Sequence, residues 1–337
     1  MTPGEDTSVL RVGIVGLGGV GHLQADIFAS EPRAQLAAVC DRHPDRGAGL
    51  AARYGCQAYT DVASMLAAEH LDLVSVCTAG HERGADHYRP TLLALNAGSH
   101  VLVEKPMSNS LHEAIDMVAQ ADRVGRRLAV NLNHRFSPAL RRARQLIADQ
   151  QLGNVLLAHT HLWVQNPADD TPFYHLIELH SHSVDLLRYL CGDIEEVHAF
   201  LTRPEGRKCW SNSSLNLRFA SGAIGSLLGS YDMTTAHAFE RCEVAGDRGH
   251  LVIDDVYDVL SFYDHTRPEA TVWKNPVLGG VNGFYDTFRY RIRALLEDLE
   301  SGRPVEASGH DGLAALRVIH AAIRSFEDGR PVRPDAV

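Results

Sequence analysis

The chain has 337 residues, enough for about two domains that each bury a core of their own. A composition of 45% hydrophobic and 22% charged residues excludes wholesale disorder, and a net charge of −10 argues against a nucleic-acid partner, which needs a basic face. No apolar run approaches the roughly 18 residues of a membrane span, and the opening MTPGEDTS carries acids without the apolar stretch of a signal peptide.

Residues 9–16 (VLRVGIVG) read as a buried strand that ends in glycines. The pattern returns at 34–41, 71–78, 99–105 and 127–133, with helical segments between, such as 44–54 and 108–124. Strands alternating with helices at this spacing predict an α/β domain with a doubly wound parallel sheet. Beyond about residue 154 the character changes. A long helical pattern over 174–190 is followed by strand candidates at 196–201, 214–219, 223–231, 240–245, 250–253, 259–263 and 270–273. Turn signals (Ser221-Gly222, Gly246-Asp247) separate several of them, and helices at 285–301 and 311–327 close the chain. Consecutive strands predict a second, α+β domain on an open, mainly antiparallel sheet. Six scattered cysteines (Cys40, Cys56, Cys77, Cys191, Cys209 and Cys242) form no CxxC pair, which fits reduced thiols in a cytoplasm.

The first strand runs into Gly16-Leu17-Gly18-Gly19-Val20-Gly21, a GxGxxG turn that opens a helix. Asp41 ends the next strand, 20 residues after Gly21. Strand, glycine turn, helix and acid in that order are the context of a dinucleotide fingerprint. The glycines permit the tight turn and the approach of pyrophosphate to a helix N-terminus. Asp41 would accept bonds from the adenosine ribose and favours NAD, while Arg42 beside it softens that preference, so NADP remains possible. The expected division is therefore a dinucleotide-binding domain over 1–133 and a domain for substrate binding and oligomerisation over 134–337, whose closing helices are free to pack back on the first.

Strand 101–103 delivers Glu104-Lys105-Pro106 at its carboxyl end, where open α/β sheets bind ligands. With only three lysines against 29 arginines in the chain, one aimed by an apolar strand and a following proline stands out. His175, Glu178, His182 and Asp185 fall at i, i+3, i+7 and i+10, one stripe of a helix. The HLIELHSH run (175–182) also invites a metal. His180, however, lies about 200° round the helix from His182, so one helix does not offer all four groups, and no metal is expected.

GxGxxG at 16–21, AGSHVLVEKP at 97–106, NHRFSP at 133–138 and SGHDGLAALRVIHAA at 308–322 together resemble the Gfo/Idh/MocA oxidoreductases over nearly the whole chain. The resemblance implies a Rossmann domain followed by an open-sheet domain, and NAD(P)-dependent oxidation or reduction of a sugar, cyclitol or related polyol. It implies a homodimer or homotetramer paired through the open sheet. In the family the EKP lysine acts with an Asp-x-x-x-His pair, matched here by Glu178-x-x-x-His182. The catalytic expectation is therefore Lys105, His182 and Glu178, with His182 as base. Gly16, Gly18, Gly19, Val20, Gly21, Asp41, Arg42, Thr78, Glu104 and Lys105 are expected at the cofactor. Asn133, Arg135, Trp163, Tyr174, His175 and Asp185 are the substrate candidates. Glutamate in place of aspartate, and Thr78-Ala79 followed by a longer GHERGADH segment (80–87), depart from the family pattern. Two alternatives stay open: a redox-neutral NAD-using glycosidase, lyase or epimerase, and a non-catalytic NAD-binding regulator.

Overall fold

A computed structural model describes residues 9–79, 86–234, 239–256, 258–274 and 283–337. MTPGEDTS and most of the 80–87 departure lie outside the described residues. The chain divides into two compact units, Met1–Asn131 with Phe288–Leu313, and Leu132–Thr287 with Ala314–Val337.

The first unit alternates β1 (Leu10–Val15), α1 (Gly19–Ser30), β2 (Ala34–Cys40), α2 (Pro44–Tyr54), β3 (Gln57–Tyr59), α3 (Val62–Ala68), β4 (Leu73–Val76), α4 (Tyr88–Asn96), β5 (His100–Val103), α5 (Leu111–Val124) and β6 (Leu128–Val130). Its six strands pair in parallel in the order β3-β2-β1-β4-β5-β6. The order reverses beside β1, so the carboxyl ends of β1 and β4 flank the switch point at which such sheets take ligands. Strands β4 and β5 are nearly continuous in buried apolar residues, as a sheet covered on both faces requires.

In the second unit a short 3₁₀ turn (Asn133–Phe136) leads into α6 (Pro138–Ala148), β7 (Val155–Trp163), α7 (Tyr174–Cys191), β8 (Ile194–Thr202), β9 (Asn212–Phe219), β10 (Ile224–Ser230), β11 (Glu240–Gly246), β12 (Gly249–Asp254), β13 (Val259–Asp264) and β14 (Ala270–Lys274). The sheet runs β14-β13-β12-β11-β7-β10-β9-β8, and the β7–β10 pairing is parallel in an otherwise antiparallel ladder. One face packs Ala158, Val197, Leu215, Leu227 and Val244 with α6 and α7 in a single core. The register places Leu157, Phe200, Ile224, Tyr263 and Val272 together on the other face, where all five are exposed. α8 (Gly283–Glu300) and α9 (Gly309–Asp328) complete the described chain. Phe288, Ile292, Leu295 and Leu296 of α8 pack into the first unit's core. All six cysteines are free thiols, and among the described residues no helix is long and apolar enough to cross a membrane.

Two strands stand where the sequence pattern shows none: β3 at the sheet edge and β7 at the centre of the second sheet. The core-facing positions of β7 are Ala158, Thr160 and Leu162 while Leu156 and Leu157 are exposed, which blurs the alternation that marks a strand.

Candidate active site

Gly16 follows β1 with φ +89°. A Cβ there would stand 2.7 Å from the Cys77 carbonyl carbon and the Thr78 nitrogen, so the turn tolerates only glycine. At Gly21 a Cβ would come within 2.0 Å of the Gly16 carbonyl oxygen, which lets α1 lie directly on the turn. Around Gly18 and Gly19 a Cβ would meet nothing within 4 Å. Gly18 is the N-cap and brings no side chain to the first-turn N–H groups of α1. Those donors and the positive end of the helix face an open approach suited to a pyrophosphate.

Asp41 closes β2 and is buried. Its two carboxylate oxygens accept the backbone N–H groups of Leu17 (2.8 Å) and His43 (2.9 Å), and Arg46 Nη1 stands 3.7 Å away. Burial opposes its ionisation, but the two N–H bonds and the Arg46 charge prevail and hold its carboxyl below the usual range. Each oxygen keeps a further lone pair for a ribose hydroxyl. A cleft of about 360 Å³ takes in Gly16, Gly18, Asp41, Arg42 and Thr78. Thr78 donates its hydroxyl to the Asp86 carbonyl at 2.8 Å. Arg46, Arg89 and Leu93 also line the cleft and are absent from the sequence expectation. Arg46 lies one turn into the helix that follows Asp41, a signal present in the sequence, whereas Arg89 and Leu93 reach the cleft only through the packing of α4.

Glu104 and Lys105 sit at the carboxyl end of β5, with the Lys105-Pro106 peptide in the cis form. The Glu104 carboxylate is internal to the first unit and accepts from Gln24 (2.6 Å) and Asn131 (2.5 Å). Gln24 in turn accepts the Ser75 hydroxyl at 2.6 Å. Burial pushes the Glu104 carboxyl up, against the opposing pull of Asn131 and Lys105. This residue therefore knits α1, β4, β5 and the end of β6 together beneath the lysine, which is itself half-buried. Buried His87 donates from Nδ1 to the Pro106 carbonyl at 2.8 Å, and burial lowers its pKa to about 4.

On α7 the stripe divides. Glu178 is buried and accepts the Tyr231 hydroxyl, whose own pKa is driven up by burial and by the Glu178 charge. His182 is 9% exposed and lies flat against His134 of the 3₁₀ turn, ring centroids 3.9 Å apart and planes 5° from parallel. His175 is interior: its Nε2 stands 3.2 Å from that of His180, its ring meets the Tyr231 edge, and burial takes its pKa to about 4. Asp185 and Arg135, both buried, bind each other through two charge-assisted hydrogen bonds, with the guanidinium also over the Tyr189 ring. Asn133 donates to the Thr287 hydroxyl at 2.5 Å. Tyr174 is half-buried, 6.3 Å from Tyr231 by ring centroid. Trp163 is not brought to this group. It stacks on His161 on the open face of the sheet, while the preceding Leu162 packs with Leu179 and Tyr231 on the α7 side. Among the described residues no three histidine, cysteine or acidic side chains are placed to hold a metal ion.

A six-stranded parallel sheet with a glycine turn and a buried acid beside it, followed by an open-sheet α+β unit, is the fold of a two-domain NAD-binding oxidoreductase. Residues 10–132 match the family model described as an oxidoreductase family with an NAD-binding Rossmann fold, and residues 140–252 match the GFO/IDH/MocA C-terminal domain. The chain belongs to the Gfo/Idh/MocA oxidoreductase family and is an NAD-dependent enzyme. It is 25% identical to a myo-inositol 2-dehydrogenase of Thermotoga maritima, covering 97% of this chain and 99% of that one. Over 44% of this chain and 42% of the relative it is 34% identical to D-glucoside 3-dehydrogenase of Escherichia coli. Among solved structures, an oxidoreductase of Agrobacterium radiobacter in complex with NAD+, L-tartaric acid and magnesium shares the fold, with a TM-score of 0.88 at 20% identity over 98% of this chain and 99% of that one.

Proposed function

We propose that this enzyme transfers hydride between NAD and a hydroxyl-bearing carbon of a sugar, cyclitol or related polyol, with His182 and Lys105 handling the proton. The observation that carries the reading is the pair Glu178 and His182, set one turn apart on α7 and partnered by Tyr231 and by His134. Full-length similarity to an inositol dehydrogenase and partial similarity to a glucoside dehydrogenase support the substrate class.

NAD, held with its pyrophosphate at the glycine turn, would supply the hydride acceptor or donor. In the oxidative direction the hydroxyl proton goes to the imidazole of His182 as the carbon gives up its hydride, leaving a carbonyl. The Lys105 ammonium polarises the same oxygen and stabilises its developing negative charge. Glu178 favours the imidazolium that His182 becomes. Asp41 selects NAD, because a 2′-phosphate would meet its charge, while Arg42 and Arg46 moderate the discrimination. Arg135 and Asp185 fix the 3₁₀ turn against α7. The exposed apolar face of the second sheet is the proposed surface for pairing of two copies, and a monomer by light scattering would remove that assignment.

The test is reduced-nicotinamide absorbance from purified protein with NAD, and separately NADP, against sugars and cyclitols, with Lys105→Met as control. The expected result is NAD reduction that requires Lys105. Tight NAD binding without reduction across the panel would turn the assignment to redox-neutral chemistry or a regulator.

A further inference from the structure

His87 stands between the end of β4 and the turn that carries Lys105. It is 2% exposed and occupies the N-cap of α4, yet its ring brings no hydrogen bond to that helix. The ring is committed elsewhere: Nδ1 bonds the Pro106 carbonyl at 2.8 Å, and the Thr78 backbone is a second partner. Pro106 directly follows Lys105, whose charge lies within electrostatic reach of the ring. On the other side Thr78 lines the cofactor cleft. Its backbone nitrogen is packed so closely on Gly16 that a Cβ at that glycine would stand 2.7 Å away. Glycine turn, Thr78, His87, Pro106 and Lys105 thus form one line of contacts within the first unit. An apolar side chain would fill the position without taking an imidazole out of water, so packing alone does not account for a ring with two polar partners.

We infer that His87 is a positioning residue that sets Lys105 in register with the cofactor cleft. The inference rests on the assignment of Lys105 to the reacting oxygen. The Glu104 N–H still bonds the Val76 carbonyl of β4 at 2.9 Å, so the sheet guides the chain up to the residue before the lysine. The Glu104 carboxylate, held by Gln24 and Asn131, anchors the turn from beneath. His87 anchors it at the residue after the lysine and ties it to the loop that borders the glycine turn. A group that polarises a reacting oxygen has to be held to within about 0.5 Å. Loss of one anchor is therefore read in the rate rather than in cofactor binding, which the glycine turn and Asp41 provide.

The experiment uses NMR relaxation of the full chain with labelled lysine. Three lysines give three side-chain signals, and the one lost in Lys105→Met belongs to Lys105. In His87→Leu, which fills the site but bonds neither partner, the Lys105 order parameter is expected to fall while those of Lys208 and Lys274 stay in place. In His87→Asn, which keeps an N–H donor at the Nδ1 position, most of the loss is expected to be recovered. His87→Met takes the place of the leucine variant if that one does not fold. In turnover, the leucine or methionine variant should lower kcat by about 10- to 100-fold, with substrate KM and NAD affinity within about twofold of the unaltered enzyme. An unchanged Lys105 order parameter in the folded variant overturns the inference, as does an unchanged kcat. A fall shared by all three lysines, which is what a merely structural role produces, overturns it as well. The order parameters need no substrate, so they are decided separately from the dehydrogenase assignment, which turnover tests.

Discussion

Asp41 illustrates how much one side chain carries at the cofactor end. Its carboxylate accepts two backbone N–H bonds that shape the glycine turn and the start of α2, and it is held ionised. Replacing Asp41 with Ala removes those acceptors and the repulsion of a 2′-phosphate together. NAD affinity is expected to fall by roughly 10- to 100-fold, in line with hydrogen bonds to a charged group. The ratio of NAD to NADP affinity should fall as well, and titration calorimetry with both cofactors checks it. An unchanged ratio would separate Asp41 from cofactor selection. This residue was legible in the sequence because strand, glycine turn and acid lie within one local unit. The contacts of His134 with His182 and Glu240 were not, because they join a 3₁₀ turn, a helix and a strand through tertiary packing alone.

At the level of elements, α7 depends on the ion pair that ties it to the 3₁₀ turn. Arg135→Leu leaves Asp185 buried without its guanidinium and should cost about 3–5 kcal/mol. The double variant with Asp185→Leu should cost less than that single change, since no uncompensated charge remains. Denaturant unfolding of the three variants measures both, and a double variant as unstable as the sum of the singles would contradict the pairing. The helix itself was legible from its periodicity, and so was the stripe of His175, Glu178, His182 and Asp185. Periodicity shows which residues share a face, but not what each one meets. Thus His175 lies against His180 and Tyr231, and Asp185 is taken up by Arg135. Trp163 was misread for a related reason. With β7 hidden by small and polar core-facing residues, nothing in the sequence indicated that Trp163 alternates onto the open face.

At the scale of the whole molecule, burial favours the neutral form of His87, His175 and His180. Burial lowers His87 and His175 to about 4, from an ordinary 6.5, and takes His180 well below 6.5 as well. Below the ordinary value the unfolded chain binds protons that the folded chain refuses, so stability falls with pH through the window from about 6.5 to about 4. Each such histidine contributes a slope of up to about 1.4 kcal/mol per pH unit. Urea unfolding at pH 7 and pH 5 should show the loss, and a stability that does not change between them would contradict the buried, neutral assignment. Both sheets were legible from alternation and from consecutive strands. The identity of the hydroxyl-bearing substrate is not carried by periodicity or local motif, because it depends on how side chains from distant segments shape a pocket.

The measurement closest to the central claim is turnover of the best substrate by His182→Asn, paired with its NAD dissociation constant. Loss of a positioned general base should lower kcat/KM by about 10²- to 10⁴-fold, while the glycine cradle and Asp41 keep NAD affinity at the level of the unaltered enzyme. Turnover retained in His182→Asn would contradict the assignment of the base.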